Sequence, residues 1–264
     1  AEQGKVRKPD VPIVGDCRLV IEEMVKAIQE LLQGGTSKAD LNTWRSRVSG
    51  WQEQFPLTYE QSEPGGPLKP QFCLEKLRDA APEGTILVSG VGQHQMWSSQ
   101  YWRFNEPYTW VNSGGLGTMG FSVPAAIGAK VGRPDKTVWA IDGDGCFQMT
   151  CNEMSTAVQH KLPVKIFILN NEWMGMVRQW QELLHGGRYA ESYTESLPDF
   201  VKLAESFGAK GIRATKESEL DGALQEMLES DVMTIFDCCV TKDENCFPMI
   251  PSGKPHYDML LPGS

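Results

Sequence analysis

Apolar residues recur along this chain with two different periods. Short runs rich in β-branched and aromatic residues predict buried strands: TILVS (85–89), YTWVN (108–112), TVWAI (137–141), VKIFIL (164–169), a stretch near 209–213 and VMTIFDCCV (232–240). Between them, apolar positions at three- and four-residue spacing predict helices at about 71–80, 95–102, 119–131, 146–160, 173–183, 198–206 and 217–229. Such alternation of strand and helix indicates an α/β fold, a largely parallel sheet with helices on both faces. The N-terminal part reads differently. VPIVGDCRLVIEEMVKAIQELL (11–32) predicts a strand stub and an amphipathic helix, followed by polar, Trp-containing sequence up to PGGP (64–67), a loop. The organisation expected is an appendage over residues 1–65 and a main domain over 66–264.

Polar clusters sit where the strands end. TVWAI leads into Asp142 and GDG (143–145), and VKIFIL leads into Asn170 and Asn171. With Phe147, Met149, Met154, Ala157 and Val158 at roughly helical spacing between them, the stretch reads as a strand, helix, strand crossover. A right-handed crossover brings both strand ends to one sheet edge, the edge where open α/β sheets bind ligands. A diphosphate there needs a hard cation, and Mg²⁺ takes oxygen ligands of the kind Asp144 and Asn171 offer. Gly143 and Gly145 allow close approach, and the N–H groups of Gly145 and Cys146 at a helix start can bind an anion. The alternative is purely structural: Asp144 caps a helix and the asparagines make a turn.

A second glycine pattern competes. GLGTMG (115–120) satisfies the dinucleotide fingerprint, with Asp142 as the acid about 20 residues on. Against it, Asn112, Ser113 and Gly114 separate strand from motif, Asp144 is a rival acid, and the asparagine pair goes unexplained.

Composition narrows the classes. Across 264 residues the net charge is −9, with a pI near 5.1, which argues against a nucleic-acid binder. No apolar run approaches the ~20 residues of a membrane span, and the N-terminal AEQGKVRKPD lacks the apolar segment of a signal peptide. Seven cysteines, an odd number without a C-x-x-C pair, signal neither zinc nor a disulfide framework. They fit a reducing compartment, cytoplasm or an organelle matrix, as small buried apolar residues.

Taken in order and spacing, GVGQHQMW (90–97), SGGLGTMGF (113–121), IDGDGCFQM (141–149), LPVKIFILNN (162–171), GMVRQWQ (175–181) and RYAESY (188–193) resemble the thiamine-diphosphate enzymes of the decarboxylase and carboligase superfamily. Within it they are most similar to the catalytic subunit of acetohydroxyacid synthase, also called acetolactate synthase. The resemblance covers about residues 68–250. Pyruvate oxidase, glyoxylate carboligase and sulfoacetaldehyde acetyltransferase are neighbouring families, and a non-catalytic module keeping the fold is the alternative from another class.

The resemblance implies thiamine diphosphate and Mg²⁺. It gives the metal to the Asp144 and Asn171 side chains and the Trp173 carbonyl. It sets Gln93 and His94 against the diphosphate, the Gly117 and Met119 backbones against the aminopyrimidine, and the Met119 side chain under the bent cofactor. Trp180 would line the pocket for the second 2-oxo acid. The substrates implied are pyruvate and 2-oxobutyrate, in branched-chain amino-acid synthesis. Family members run to about twice this length, with an N-terminal pyrimidine-binding domain that carries an activating glutamate and a middle domain that often holds FAD. Residues 1–65 resemble the tail of that middle domain. The expectation is a catalytically incomplete chain whose partners are a pyrimidine domain, further copies of the same chain and a regulatory small subunit.

Overall fold

The computed structural model describes residues 3–63 and 65–263, so Pro64 of the expected PGGP loop lies outside the described residues. The chain divides into two compact units, residues 1–58 and 59–264. In the first, helix α1 (Cys17–Gln33) begins where the Asp16 carboxylate accepts from the N–H groups of Arg18 at 3.1 Å and Leu19 at 3.2 Å. Helix α2 (Asn42–Gln54) escapes the sequence reading because NTWRSRVSGWQEQ carries no apolar stripe; its Trp44 and Trp51 meet edge to face at 5.8 Å. The strand stub expected before α1 is not formed. Residues 11–14 are irregular, and an isolated extended segment without a paired neighbour is not stable.

The second unit is built on a sheet of β1 (Ile86–Ser89), β2 (Trp110–Asn112), β3 (Val138–Gly143), β4 (Lys165–Asn170), β5 (Lys210–Ala214) and β6 (Thr234–Cys239). Their order is β2-β1-β3-β4-β6-β5 and every pairing is parallel. The runs look uniformly apolar in sequence because both faces are covered. Leu87, Trp139, Ile141, Phe167, Leu169 and Phe236 face one way, onto α3 (Pro70–Ala80), α4 (Gln93–Tyr101) and α10 (Glu217–Glu229). Ile86, Val88, Val138, Ala140, Ile166 and Ile168 face the other way, onto α5 (Ser122–Gly132), α6 (Asp144–Gln148), α7 (Met154–Gln159) and α9 (Phe200–Ser206). Phe167 and Phe236 meet edge to face at 4.8 Å across β4 and β6. Full burial of one such ring contributes about 1.5 to 3 kcal/mol.

Two expected helices differ from the sequence reading. The stretch 146–160 is interrupted: α6 and α7 are separated by a short 3₁₀ turn at Cys151–Glu153, against which the glycine-rich loop packs through Thr150 Oγ1 donating to Gly120 O at 2.7 Å. The apolar period survives the interruption, so periodicity alone shows no break. Helix α5 begins at Ser122 instead of 119, which leaves GLGTMG in the preceding loop.

This order creates a switch point. From β1 the chain leaves through α4 towards β2, and from its neighbour β3 it leaves through α6 and α7 towards β4, on the opposite face. The connections diverge between β1 and β3, opening a crevice at the carboxyl ends of the strands.

Candidate active site

A cleft of about 460 Å³, part of it open to solvent, occupies that crevice. The end of β1 supplies Val91 to His94, the end of β3 supplies Gly143 to Cys146, the end of β4 supplies Asn171 and Trp173, and the start of α8 (Gly175–Leu184) supplies Gly175 to Val177. Met119, from the loop after β2, joins the lining, with Trp97, Leu169 and Met174.

Register explains how GDG and the asparagines meet. Gly143 pairs with Leu169 in the parallel β3/β4 ladder, so Asp144 and Asn170 emerge side by side. Asp144 is 1% exposed and its Oδ2 has no hydrogen-bond partner. Burial pushes its pKa up to about 7, only partly offset by the N–H groups of Asp144, Asn171 and Gly145. A carboxylate held this way lacks the positive charge that burial demands.

The two asparagines divide their tasks. Asn170 ties down the strand end, its Nδ2 donating to Asp237 Oδ1 at 2.9 Å and its Oδ1 accepting from Glu172 N at 3.3 Å. Asn171 turns into the cleft, where its Nδ2 donates to Gln93 Oε1 at 3.2 Å and its Oδ1 accepts from Trp173 N at 3.2 Å. Between them and Trp173, Glu172 adopts a left-handed conformation, φ 59°, a local cost of the kind found where a loop is forced into a working shape. The Trp173 ring lies against Tyr189 and Tyr193, with centroids at 5.6 and 4.9 Å. That packing accommodates a large residue at a position that lines the cleft.

His94 is buried, and burial holds its pKa down to about 3, so the imidazole is neutral. Its Nε2 lies 3.5 Å from Asp142 Oδ1. Asp142, fully buried and outside the cleft lining, accepts from Ser122 Oγ and from Gly143 N at 3.0 Å. Cys146 Sγ accepts from Gly120 N at 3.1 Å and Val91 N at 3.4 Å, pinning the glycine-rich loop to the end of β1. His94, Asp142 and Cys146 converge on the space left by the missing side chain of Gly90. A side chain on Gly90 would overlap all three, so the cluster depends on that glycine.

Of the residues singled out from sequence, Gln93, His94, Met119, Gly143, Asp144, Gly145, Cys146, Asn171 and Trp173 all line this one cleft. Two do not. Gly117, φ 66°, is exposed on the Met119 loop, and Trp180, 49% exposed, lines an adjoining groove with Gln181, His185 and Arg188. Met176 and Val177 border both spaces. Sequence reasoning missed Arg178, Gln179 and Glu244. Gln179 is 0% exposed, and only its amide inside an otherwise amphipathic helix could have drawn notice.

A parallel sheet with a cleft at its switch point, holding a buried carboxylate oxygen without a partner, defines an α/β domain of the ligand-binding kind. The chain belongs to the thiamine pyrophosphate enzymes: the family described as "Thiamine pyrophosphate enzyme, C-terminal TPP binding domain" matches residues 90–238. Among curated relatives, the acetolactate synthase large subunit of Corynebacterium glutamicum is 45% identical over 98% of this chain and 42% of its own length. The acetolactate synthase of Mycobacterium bovis is 43% identical over 96% of this chain and 41% of its own length. The acetolactate synthase large subunit of Pyropia yezoensis is 40% identical over 98% and 43%, so the chain spans about two fifths of such relatives. Among solved structures, the thiamine diphosphate-dependent 4-hydroxybenzoylformate decarboxylase of Rhodococcus jostii RHA1 superposes with a TM-score of 0.64 at 27% identity, over 72% of this chain and 36% of that one. No helix among the described residues is long and apolar enough to cross a membrane.

Proposed function

We propose that this chain is the diphosphate-binding part of an acetolactate synthase large subunit, holding thiamine diphosphate through Mg²⁺. The observation that carries the reading is Asp144 Oδ2, buried without a partner beside Asn171. An all-oxygen donor set of one carboxylate, one amide and the Trp173 carbonyl suits Mg²⁺ and leaves room for water and phosphate oxygens. The neutral His94 would contact the diphosphate without adding positive charge, the N–H groups at the start of α6 would favour the anion, and the Met119 loop would help to hold the cofactor. Gly117 contributes main chain to that loop. When bound, thiamine diphosphate supplies the carbanion chemistry that cleaves a 2-oxo acid. This chain's residues position it and exclude water.

The net reaction joins two pyruvates into 2-acetolactate with release of CO₂, or pyruvate and 2-oxobutyrate into 2-aceto-2-hydroxybutyrate. Trp180, in the groove next to the cleft, borders the space for the second 2-oxo acid. Residues 1–65 form the end of a preceding middle domain and its linker. The remaining three fifths of the relatives' length would carry the pyrimidine domain with its glutamate and any FAD, and the oligomer and a regulatory small subunit complete the assembly. Seven free thiols fit a reducing compartment, cytoplasm or organelle matrix.

The test is calorimetric titration of the full-length protein with thiamine diphosphate, with and without Mg²⁺, beside an acetolactate assay from pyruvate. Asp144→Ala is expected to abolish Mg²⁺-dependent binding and product formation together. Unchanged cofactor affinity in that variant rules out the assignment.

A further inference from the structure

Gln93 presents an amide whose every group is engaged by protein. Its Nε2 donates to Gln179 Oε1 and to the Glu244 carbonyl, both at 2.9 Å, and its Oε1 accepts from Asn171 Nδ2 at 3.2 Å. Gln179 in turn is gripped by the main chain of Cys246: its Nε2 donates to Cys246 O at 3.0 Å and its Oε1 accepts from Cys246 N at 2.8 Å. Side-chain amides can face either way, but backbone N–H and C=O groups cannot exchange places. Reversing Gln179 would set carbonyl against carbonyl at Cys246. With Gln179 fixed, reversing Gln93 would oppose its oxygen to Gln179 Oε1 and Glu244 O. With Gln93 fixed, Asn171 must direct Nδ2 towards it and Oδ1 to the other side, where the Trp173 N–H also holds it.

We propose that Gln179 is a positioning residue for the metal ligand Asn171, acting through Gln93, with the main chain of Cys246 setting the sense of all three amides. The inference rests on the reading that Asp144 and Asn171 hold Mg²⁺. It assigns work to a segment remote in sequence. Residues 244–246 are fastened under the cleft by Arg178, which donates to Glu244 O at 2.8 Å and Asn245 Oδ1 at 2.7 Å, and by Lys69 and Gln71, which hold the Glu244 carboxylate. A side chain at Gly175 would overlap Gln93 Oε1, so the relay also accounts for that glycine.

The experiment is a magnesium titration of thiamine diphosphate binding to the full-length protein, read by intrinsic tryptophan fluorescence. Losing an outer-shell partner typically weakens a metal site about 10- to 100-fold. Gln179→Met is expected to raise the half-saturating Mg²⁺ concentration about tenfold or more, and Gln179→Asn, which withdraws the oxygen by one methylene, serves if the first variant does not fold. Because Gln179 acts through Gln93, adding Gln179→Met to Gln93→Met is expected to change the magnesium demand by less than about twofold. Thermal melts without metal separate this from a purely structural role, which would lower the melting temperature and leave half-saturation where it was. A Gln179 variant within about twofold of wild type, or effects that multiply in the double variant, overturns the relay. Asp144→Ala is the control: if it keeps magnesium-dependent binding, the metal reading falls and this inference falls with it.

Discussion

The imidazole of His94 occupies the place that a side chain at Gly143 would take, with Nδ1 2.9 Å from the position of a Cβ there. The glycine of the GDG motif therefore makes a slot for a neighbouring ring at the end of β1. Gly143→Ala is expected to cost about 1 to 3 kcal/mol, the usual range for overpacking. Urea denaturation checks it. In a His94→Ala background the same substitution should cost much less, and an equal cost would show that the ring is not what Gly143 accommodates.

The raised pKa of Asp144 has a definite sign in stability. Native protein holds this proton up to about pH 7, whereas the unfolded chain releases it near the ordinary aspartate value of 3.8. Between those values the native state binds more protons, so stability falls as pH rises through the window and is flat above it. Compared with Asp144→Asn, the metal-free wild type is expected to lose about 2 to 4 kcal/mol between pH 4 and 8. Using the difference between the two proteins removes the opposing contribution of His94, whose lowered pKa destabilises the protein in acid. Mg²⁺ with thiamine diphosphate at pH 8 should restore the wild type and leave the variant unchanged. Parallel pH profiles in denaturant would refute the link.

Trp180 is half exposed on the rim of its groove. Trp180→Ala should therefore change folding stability by no more than about 1 kcal/mol. In the full-length protein given pyruvate and 2-oxobutyrate together, the ratio of the two products is expected to shift. Chromatographic analysis with an unchanged ratio would remove Trp180 from acceptor choice.

The dinucleotide fingerprint makes the opposite forecast to the metal cleft. GLGTMG ends before α5 begins, and Asp142 is sealed beneath the surface by Ser122. NAD and NADP should leave the melting temperature unchanged, whereas thiamine diphosphate with Mg²⁺ at 100 times its Kd should stabilise by about 2.7 kcal/mol. Saturable protection by a nicotinamide cofactor would revive the rival motif.

The strands and their polar ends were legible because a doubly covered parallel strand is an uninterrupted apolar run, and because a ligand edge concentrates Gly, Asp and Asn just after such runs. TVWAI before GDG and VKIFIL before the asparagines carry both signals. What escaped had no local signal. Helix α2 carries no apolar stripe, so no period marks it. The break between α6 and α7 lies where Thr150 meets Gly120, 30 residues away in sequence. Gln179 and Glu244 act through hydrogen bonds to Gln93, 86 and 151 residues away, and a glutamine's hydrogen-bonding capacity says nothing about its partner until the chain has folded.

Because the polarity that reaches Asn171 originates in a peptide group, the identity of residue 246 is largely free of the task. Cys246→Ala or Cys246→Val retains the N–H and the carbonyl and keeps the instruction intact, subject only to filling a buried space. Proline alone among the standard residues erases the donor. Sequence drift at this position is therefore a poor guide to its importance: the site would tolerate many letters there and still depend on the main chain they share.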